Sequence, residues 1–154
     1  MTTSYWGPPC WNLLHTLSYK IKDYNEFALI KDEFWNILVS ICTNLPCPVC
    51  KEHAAKLILS ANKNKILQSN RNLQVFLIDF HNIVNTNKRK PIFSIEKADN
   101  IYINFNTRIV ILDFMKTFNV KYNNIRLMNN TLNKNTMMKT FIQWISMNQK
   151  YFNP

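Results

Sequence analysis

The sequence predicts an all-α protein, a helical bundle followed by a helical tail. Three observations lead there. Glycine occurs once in 154 residues while asparagine and lysine are abundant, which argues against a turn-rich β-sandwich or a glycine-rich phosphate loop. Apolar side chains recur at helical spacing in successive segments. Prolines fall where helices would start or stop. With 47% apolar residues the chain can fill a core, and its length suits one domain or a small core with an appendage.

Taken in order, Pro8 and Pro9 suit a first helical turn, and the pattern from Pro9 to about Lys22 is helical. Trp11, Leu14, His15 and Ser18 share one face of it, and Leu13, Leu17 and Ile21 widen the apolar surface. A second helix runs from about Glu26 to Thr43, striped by Phe27, Ile30, Phe34, Leu38 and Ile41, until Asn44-Leu45-Pro46 breaks it. Pro48 opens a third helix that reaches about Ala61, and Asn62 to Lys65 reads as a polar connection. The fourth spans about Leu73 to Asn87. Its Leu77, His81, Val84, Asn85 and Lys88 fall on one face, and Lys90-Pro91 ends it. A short fifth helix covers Ile95 to Tyr102. Thr107 to Phe118 reads as a helix in preference to a strand through Arg108 to Leu112. A polar stretch, Asn119 to Asn135, precedes a last helix from Thr136 to Phe152. Its Met137, Phe141, Trp144, Ile145 and Phe152 read as core or subunit interface, with Asn148 interrupting the stripe.

The net charge is +10 and the pI about 9.6. The lysines are spread along the chain without interleaved aromatics, so they read as a solvated surface and not as a nucleic-acid face. The start, Met1 to Tyr5, has no basic-then-apolar signal segment, and no apolar run is long enough to span a bilayer. A cytosolic location without membrane insertion is the expectation. There, a Cys-x-x-Cys is a redox or metal motif before it is a structural staple.

That motif is Cys47-Pro48-Val49-Cys50, at a turn before a helix. Two intervening residues let the sulfurs meet, and the helix N-terminus favours thiolate over thiol. By themselves the residues leave alternatives open. Cys42, Cys47, Cys50 and His53 could form a zinc-binding interaction module, although Cys-x4-Cys-x2-Cys-x2-His is cramped for a closed tetrahedral site. A structural helical protein without activity is the third reading. Trp11 alone would be a core residue, His15 and His81 structural histidines, and Asn82 and Asn85 surface residues of an asparagine-rich chain.

Three stretches taken together reverse those priors. They are Trp6-Gly7-x-x-x-Trp11-x-x-Leu14-His15, Cys47-Pro48-x-Cys50-x-x-His53, and His81-Asn82-x-Val84-Asn85 followed by Lys90-Pro91. In order and spacing, over about residues 5–102, the chain resembles the Erv/ALR family of FAD-linked sulfhydryl oxidases, most closely the versions of large cytoplasmic DNA viruses. The resemblance implies a four-helix bundle with a short fifth helix holding FAD. It thus implies an oxidase core over 1–105 and a C-terminal helical extension of unassigned role over 106–154. It implies oxidation of thiol-containing protein substrates to disulfides, with electrons passed to O2 to give H2O2. A homodimer is implied too, in host cytoplasm or virion if the chain is viral.

By that resemblance Cys47 is the outer sulfur, which forms the mixed disulfide, and Cys50 the inner one, which meets the flavin. Trp6, Gly7, Trp11, His15, His81, Asn82, Val84 and Asn85 would bind the cofactor, with Lys90 near its phosphates. Tyr102 stands where relatives often carry a tryptophan, so stacking near the adenine is retained. Two features depart from the pattern. No cysteine follows Cys50, so the second structural disulfide of many relatives is absent. The remaining cysteines, Cys10 and Cys42, are on or beside helices and read as free and structural, not as a shuttle pair in a tail.

Overall fold

The computed structural model describes residues 3–118 and 125–154 of the 154, and among them eight α-helices and no strands. Helices α1 (Thr3–Lys20), α2 (Tyr24–Cys42), α3 (Pro48–Ser60) and α5 (Asn70–Asn87) form the bundle. Helix α6 (Ile95–Tyr102) is the short fifth, and α4 (Lys63–Ile66) is a single turn. Helices α7 (Thr107–Phe118) and α8 (Ile125–Asn148) make the extension, closed by a 3-10 turn, Gln149–Tyr151. Side-chain caps start most of them. Asp23, Ser69 and Ser94 accept N–H bonds from the first turns of α2, α5 and α6. Helix α3 is capped by the sulfur of Cys47, which accepts from Cys50 N–H at 3.2 Å.

The boundaries differ from the sequence expectation in three places. Helix α1 begins at Thr3, which puts Pro8 and Pro9 in its interior. They fall in its second turn, where Pro8 itself is solvent-exposed. The connection after α3 coils into α4, because Asn62 caps it through Lys65 N–H at 3.2 Å. Helix α8 begins inside the polar stretch at Ile125, while residues 119–124 of that stretch lie outside the described residues. It also stops short of Phe152. The Asn148 side chain turns back to the Trp144 carbonyl at 2.8 Å and competes with the backbone ladder.

Helix α1 is the centre of the fold. From Leu13 to Ile21 every residue is buried, because α5 and α6 pack on one side and α7 on the other. Its last carbonyls are not left bare: Ser18 O accepts from Asn70 and Gln74 side chains at 2.9 and 3.2 Å. The extension joins the same core. Phe118 meets Trp6 edge-on, Phe114 meets Phe141, and Trp144 stacks on Phe34 of α2 at 5.6 Å. Trp144 also donates its indole N–H to Glu33 at 3.0 Å. The chain's end is tied back by an antiparallel bridge, Ile21 to Phe152, and by Asn153 N–H to Lys20 O at 2.6 Å.

Helix α5 ends in a tight reversal. Arg89 is the only residue with positive φ among those described, at 55°. Its N–H bonds Thr86 O at 3.1 Å and Lys90 N–H bonds Asn85 O at 2.8 Å, the paired closure usually built on glycine. An arginine there costs about 1–2 kcal/mol of backbone strain.

Phe141 is fully buried where the extension meets α7. Phe141→Ala should cost about 3–5 kcal/mol. Urea unfolding followed by helical circular dichroism should shift as one transition. A separate early transition would show that the extension folds apart from the bundle.

Candidate redox site and cofactor cavity

A cavity of about 740 Å³ opens between α1, the end of α2, α3 and α5, within the range of small-molecule and cofactor sites. Cys50 lines it and Cys47 does not. In the same lining Trp11 lies flat on His81, with ring centres 4.2 Å apart and planes 7° from parallel. Trp6, Gly7, Val84, Asn85 and Lys90 complete the sequence-expected lining.

His15, Asn82 and Tyr102 stand behind that wall rather than in it. His15 is fully buried, with Nε2 3.0 Å from His81 Nδ1, and Tyr102 stacks on its far side at 4.5 Å. The Asn82 amide is committed to backbone: it donates to Phe93 O at 2.9 Å and accepts from Phe93 N–H at 3.1 Å. This fastens the segment leading into α6 against α5. Tyr19 and Arg71 both hold Asp99 of α6, Arg71 through two bonds of 2.6 and 3.0 Å. These side chains therefore set the position of the aromatic wall.

The two sulfurs differ electrically. Burial pushes the Cys47 thiol up, but hydrogen bonds from Cys50 and Val49 and the nearby Lys88 charge outweigh it, so the net shift is downward. Cys50 is raised to about 11, by burial first, then by its hydrogen bond to Cys47 and the Cys47 charge, with Lys88 opposing. Cys10 and Cys42 also line the cavity, a position the sequence reading did not assign them. Burial pushes Cys42 up to about 12 and Cys10 higher still. Exchange needs thiolate, which both therefore lack near neutral pH. The zinc alternative does not assemble. Among the described residues no group of three His, Cys, Asp or Glu is placed to hold a metal ion.

The donor set fits an aromatic, anionic dinucleotide. Flat rings form one wall, Lys88 and Lys90 are at the rim, and no lining side chain is a carboxylate. Lys88 shares the α5 face that carries His81, Val84 and Asn85, which is the signal that could have found it. His15 Nδ1 is buried without a partner among the described residues. Gly7, buried in mid-helix and lining the cavity, leaves room no protein atom fills: a Cβ there would meet only Thr3 Cγ2, at 3.7 Å.

The fold and site thus define a class, a helical protein with a Cys-x-x-Cys pair beside an aromatic-walled cavity. The Erv1/Alr family profile matches residues 8–103, and the chain belongs to that family. It is 33% identical over 86 residues to protein 096R of Invertebrate iridescent virus 3, assigned by its name to the FAD-linked sulfhydryl oxidases. It is 30% identical over 99 residues to the FAD-linked sulfhydryl oxidase of African swine fever virus, isolate Pig/Kenya/KEN-50/1950. To protein 347L of Invertebrate iridescent virus 6, named in the same class, it is 33% identical over 94 residues. These matches cover 56%, 64% and 56% of this chain, and 57%, 80% and 82% of the relatives. No solved structure gives a significant match.

Two outcomes are expected. Gly7→Ala should stabilise the cofactor-free chain by about 0.5–1 kcal/mol, since glycine weakens a helix interior, while weakening flavin binding by filling the cavity. Denaturation and flavin titration read the opposite signs. The second concerns pH. Burial, then His81, lowers His15 from 6.5 to about 3, and burial, then Lys90, lowers His81 from 6.5 to about 4. Both rings are neutral in the fold and protonate more readily when unfolded. Their contribution is whole above pH 6.5 and lost as pH falls from 6.5 toward about 3. The melting temperature should drop over that window, and less so in His15→Asn.

Proposed function

We propose that this chain is a FAD-dependent thiol oxidase that makes disulfide bonds in protein dithiols and delivers the electrons to O2 as H2O2. The observation that carries the reading is the placement of Cys50 in the lining of the same cavity as the stacked Trp11 and His81, with Cys47 outside that lining at the helix cap.

From the oxidised pair the steps balance as follows. A substrate thiolate attacks Cys47 Sγ; the Cys47–Cys50 bond breaks and Cys50 leaves as thiolate. In that mixed disulfide Cys47 no longer bears charge, so two of the three causes that raise Cys50 vanish and Lys88 favours the thiolate. The second substrate thiolate then attacks the substrate sulfur, and Cys47 leaves, helped by the N–H groups of Val49 and Cys50. The substrate gains a disulfide and the cysteine pair gains two electrons and two protons. FAD, when bound, takes those electrons and reduces O2. Trp6, Gly7, Trp11, His81, Val84 and Asn85 would hold it, Lys90 would face its phosphates, and His15, Asn82 and Tyr102 would position the wall.

The oxidase unit we infer is residues 1–105, with 106–154 bracing α1 and α2. Assembly as a non-covalent homodimer is part of the reading. The two spare cysteines are buried, and Ile109 and Leu112 expose apolar surface on α7. Light scattering at micromolar concentration checks it, and a monomer would remove the dimer from the account. Proteins, not nucleic acid, are the partners we infer. The viral relatives support action in host cytoplasm or virion. No helix among the described residues is long and apolar enough to cross a membrane.

Cys47→Ser and Cys50→Ser should each abolish dithiol oxidation, measured as oxygen uptake. They should differ toward a cystine-peptide disulfide. Cys50→Ser should accumulate the mixed disulfide on Cys47, seen by intact mass, at least about tenfold faster than Cys47→Ser does on Cys50. The reverse order would exchange the two roles, and oxidation surviving in both variants would remove the pair from the mechanism.

A further inference from the structure

The left-handed turn after α5 is a costly way to end a helix, and it holds three consecutive cations. Lys88, Arg89 and Lys90 are all exposed. The Cβ of Arg89 crowds its own backbone at φ 55°, where glycine would relieve it. The chain's only glycine is spent elsewhere, at Gly7. By reversing the chain, the turn brings Lys88 and Lys90 both to the cavity rim, while Arg89 between them does not line the cavity. Among the described residues no carboxylate is within ion-pair reach of the three, whereas Lys56, on the same rim, is paired with Glu52 at 3.1 Å.

The rim beside the turn is apolar. Val49, between the two reactive cysteines, is 60% exposed, and Ile83 on α5 is 48% exposed. Both line the cavity mouth. Lys88 is close enough for its charge to act on both sulfurs. A docking patch of unpaired cations around exposed aliphatic side chains, next to a reactive disulfide, complements one kind of substrate.

Resting on the oxidase reading above, we propose that Lys88 and Arg89 of this turn recruit protein substrates through an acidic segment flanking their reactive cysteine, with an apolar neighbour of that cysteine seated on Val49 and Ile83, while Lys90 is left to the cofactor. Complementary charge of this kind raises the rate of encounter and discriminates among partners, and salt weakens it. Arg89 separates this role from cofactor binding, because it flanks the cavity without lining it. Its strain is then the cost of keeping a second cation beside Lys88 on the recruiting face.

The test uses the FAD-loaded full chain and dithiol peptides of one central sequence flanked by acidic, neutral or basic residues. The kcat/KM should favour the acidic over the basic peptide by about tenfold at low ionic strength, and the ratio should collapse at high salt. Arg89→Gly should lower that ratio by about threefold, while raising the urea midpoint as the strain is relieved. An acidic-to-basic ratio near one in the parent, or one that Arg89→Gly leaves unaltered, overturns the proposal. If Arg89→Gly instead loses flavin absorbance, the turn serves the cofactor's phosphates and the substrate assignment is wrong. Inhibition stronger by an oligonucleotide than by polyglutamate of equal charge would assign the turn to nucleic acid and equally overturn it. Oxygen uptake with dithiothreitol separates the two readings. If the parent oxidises dithiothreitol without discriminating among the peptides, only the docking proposal fails; if it does not oxidise dithiothreitol, both fall.

Discussion

Everything in this structure leans on the burial of α1. A helix at the surface needs one apolar stripe, but α1 is enclosed from Leu13 to Ile21 and packs against neighbours on two sides at once. Toward α5 and α6 it presents His15 and Trp11, the backing and face of the cavity wall. Toward the extension it presents Trp6 to the ring of Phe118. A shift of α1 to relieve one side would open the other, because protein interiors are packed too densely to absorb it. Of the polar side chains caught in this position, Ser18 Oγ donates to His15 O at 2.7 Å, while His15 Nδ1 and Thr16 Oγ1 are buried without a partner among the described residues.

In the function we propose, the site separates tasks that a single cysteine could not combine. Cys47 is at a helix cap among N–H donors, which suits a sulfur that must be attacked and must leave. Cys50, one turn on, is turned into the cavity. Lys88 acts on both, and the asymmetry between them follows from hydrogen bonding as well as distance. The histidine pair makes a contrasting use of burial. Two imidazoles in contact, both depressed far below their ordinary range, form a neutral surface on which an aromatic ring can stack without a buried charge to solvate.

Much of the site was legible because its residues are spaced by the helix period. His81, Val84 and Asn85 share a face by arithmetic, and the structure puts all three on the cavity. The same arithmetic placed Lys88 there, though nothing in one dimension marked it as functional. Asn82 shows the limit. Adjacent to His81 in sequence, it lies about 100° around the helix, and there its amide meets the Phe93 backbone instead of the cavity. Tyr102 and His15 were recognised as aromatic partners, but whether they line the cavity or back its wall depended on how α6 is fastened.

By itself the sequence determined the helices and most of their ends, because caps, prolines and apolar periodicity act over a few residues. Helices α6 and α7 match their expected spans, Ile95–Tyr102 and Thr107–Phe118, for that reason. Only the tertiary structure decided what covers α1 and α2. The apolar stripe of the last helix could have faced a second subunit, and the fold turns it onto Phe34 and Glu33 of its own chain. It also decided the fate of the other two cysteines, since a thiol's reactivity depends on desolvation. Cys10 and Cys42 read as free and structural from the sequence, and the fold supplies the reason, because burial holds both as thiols.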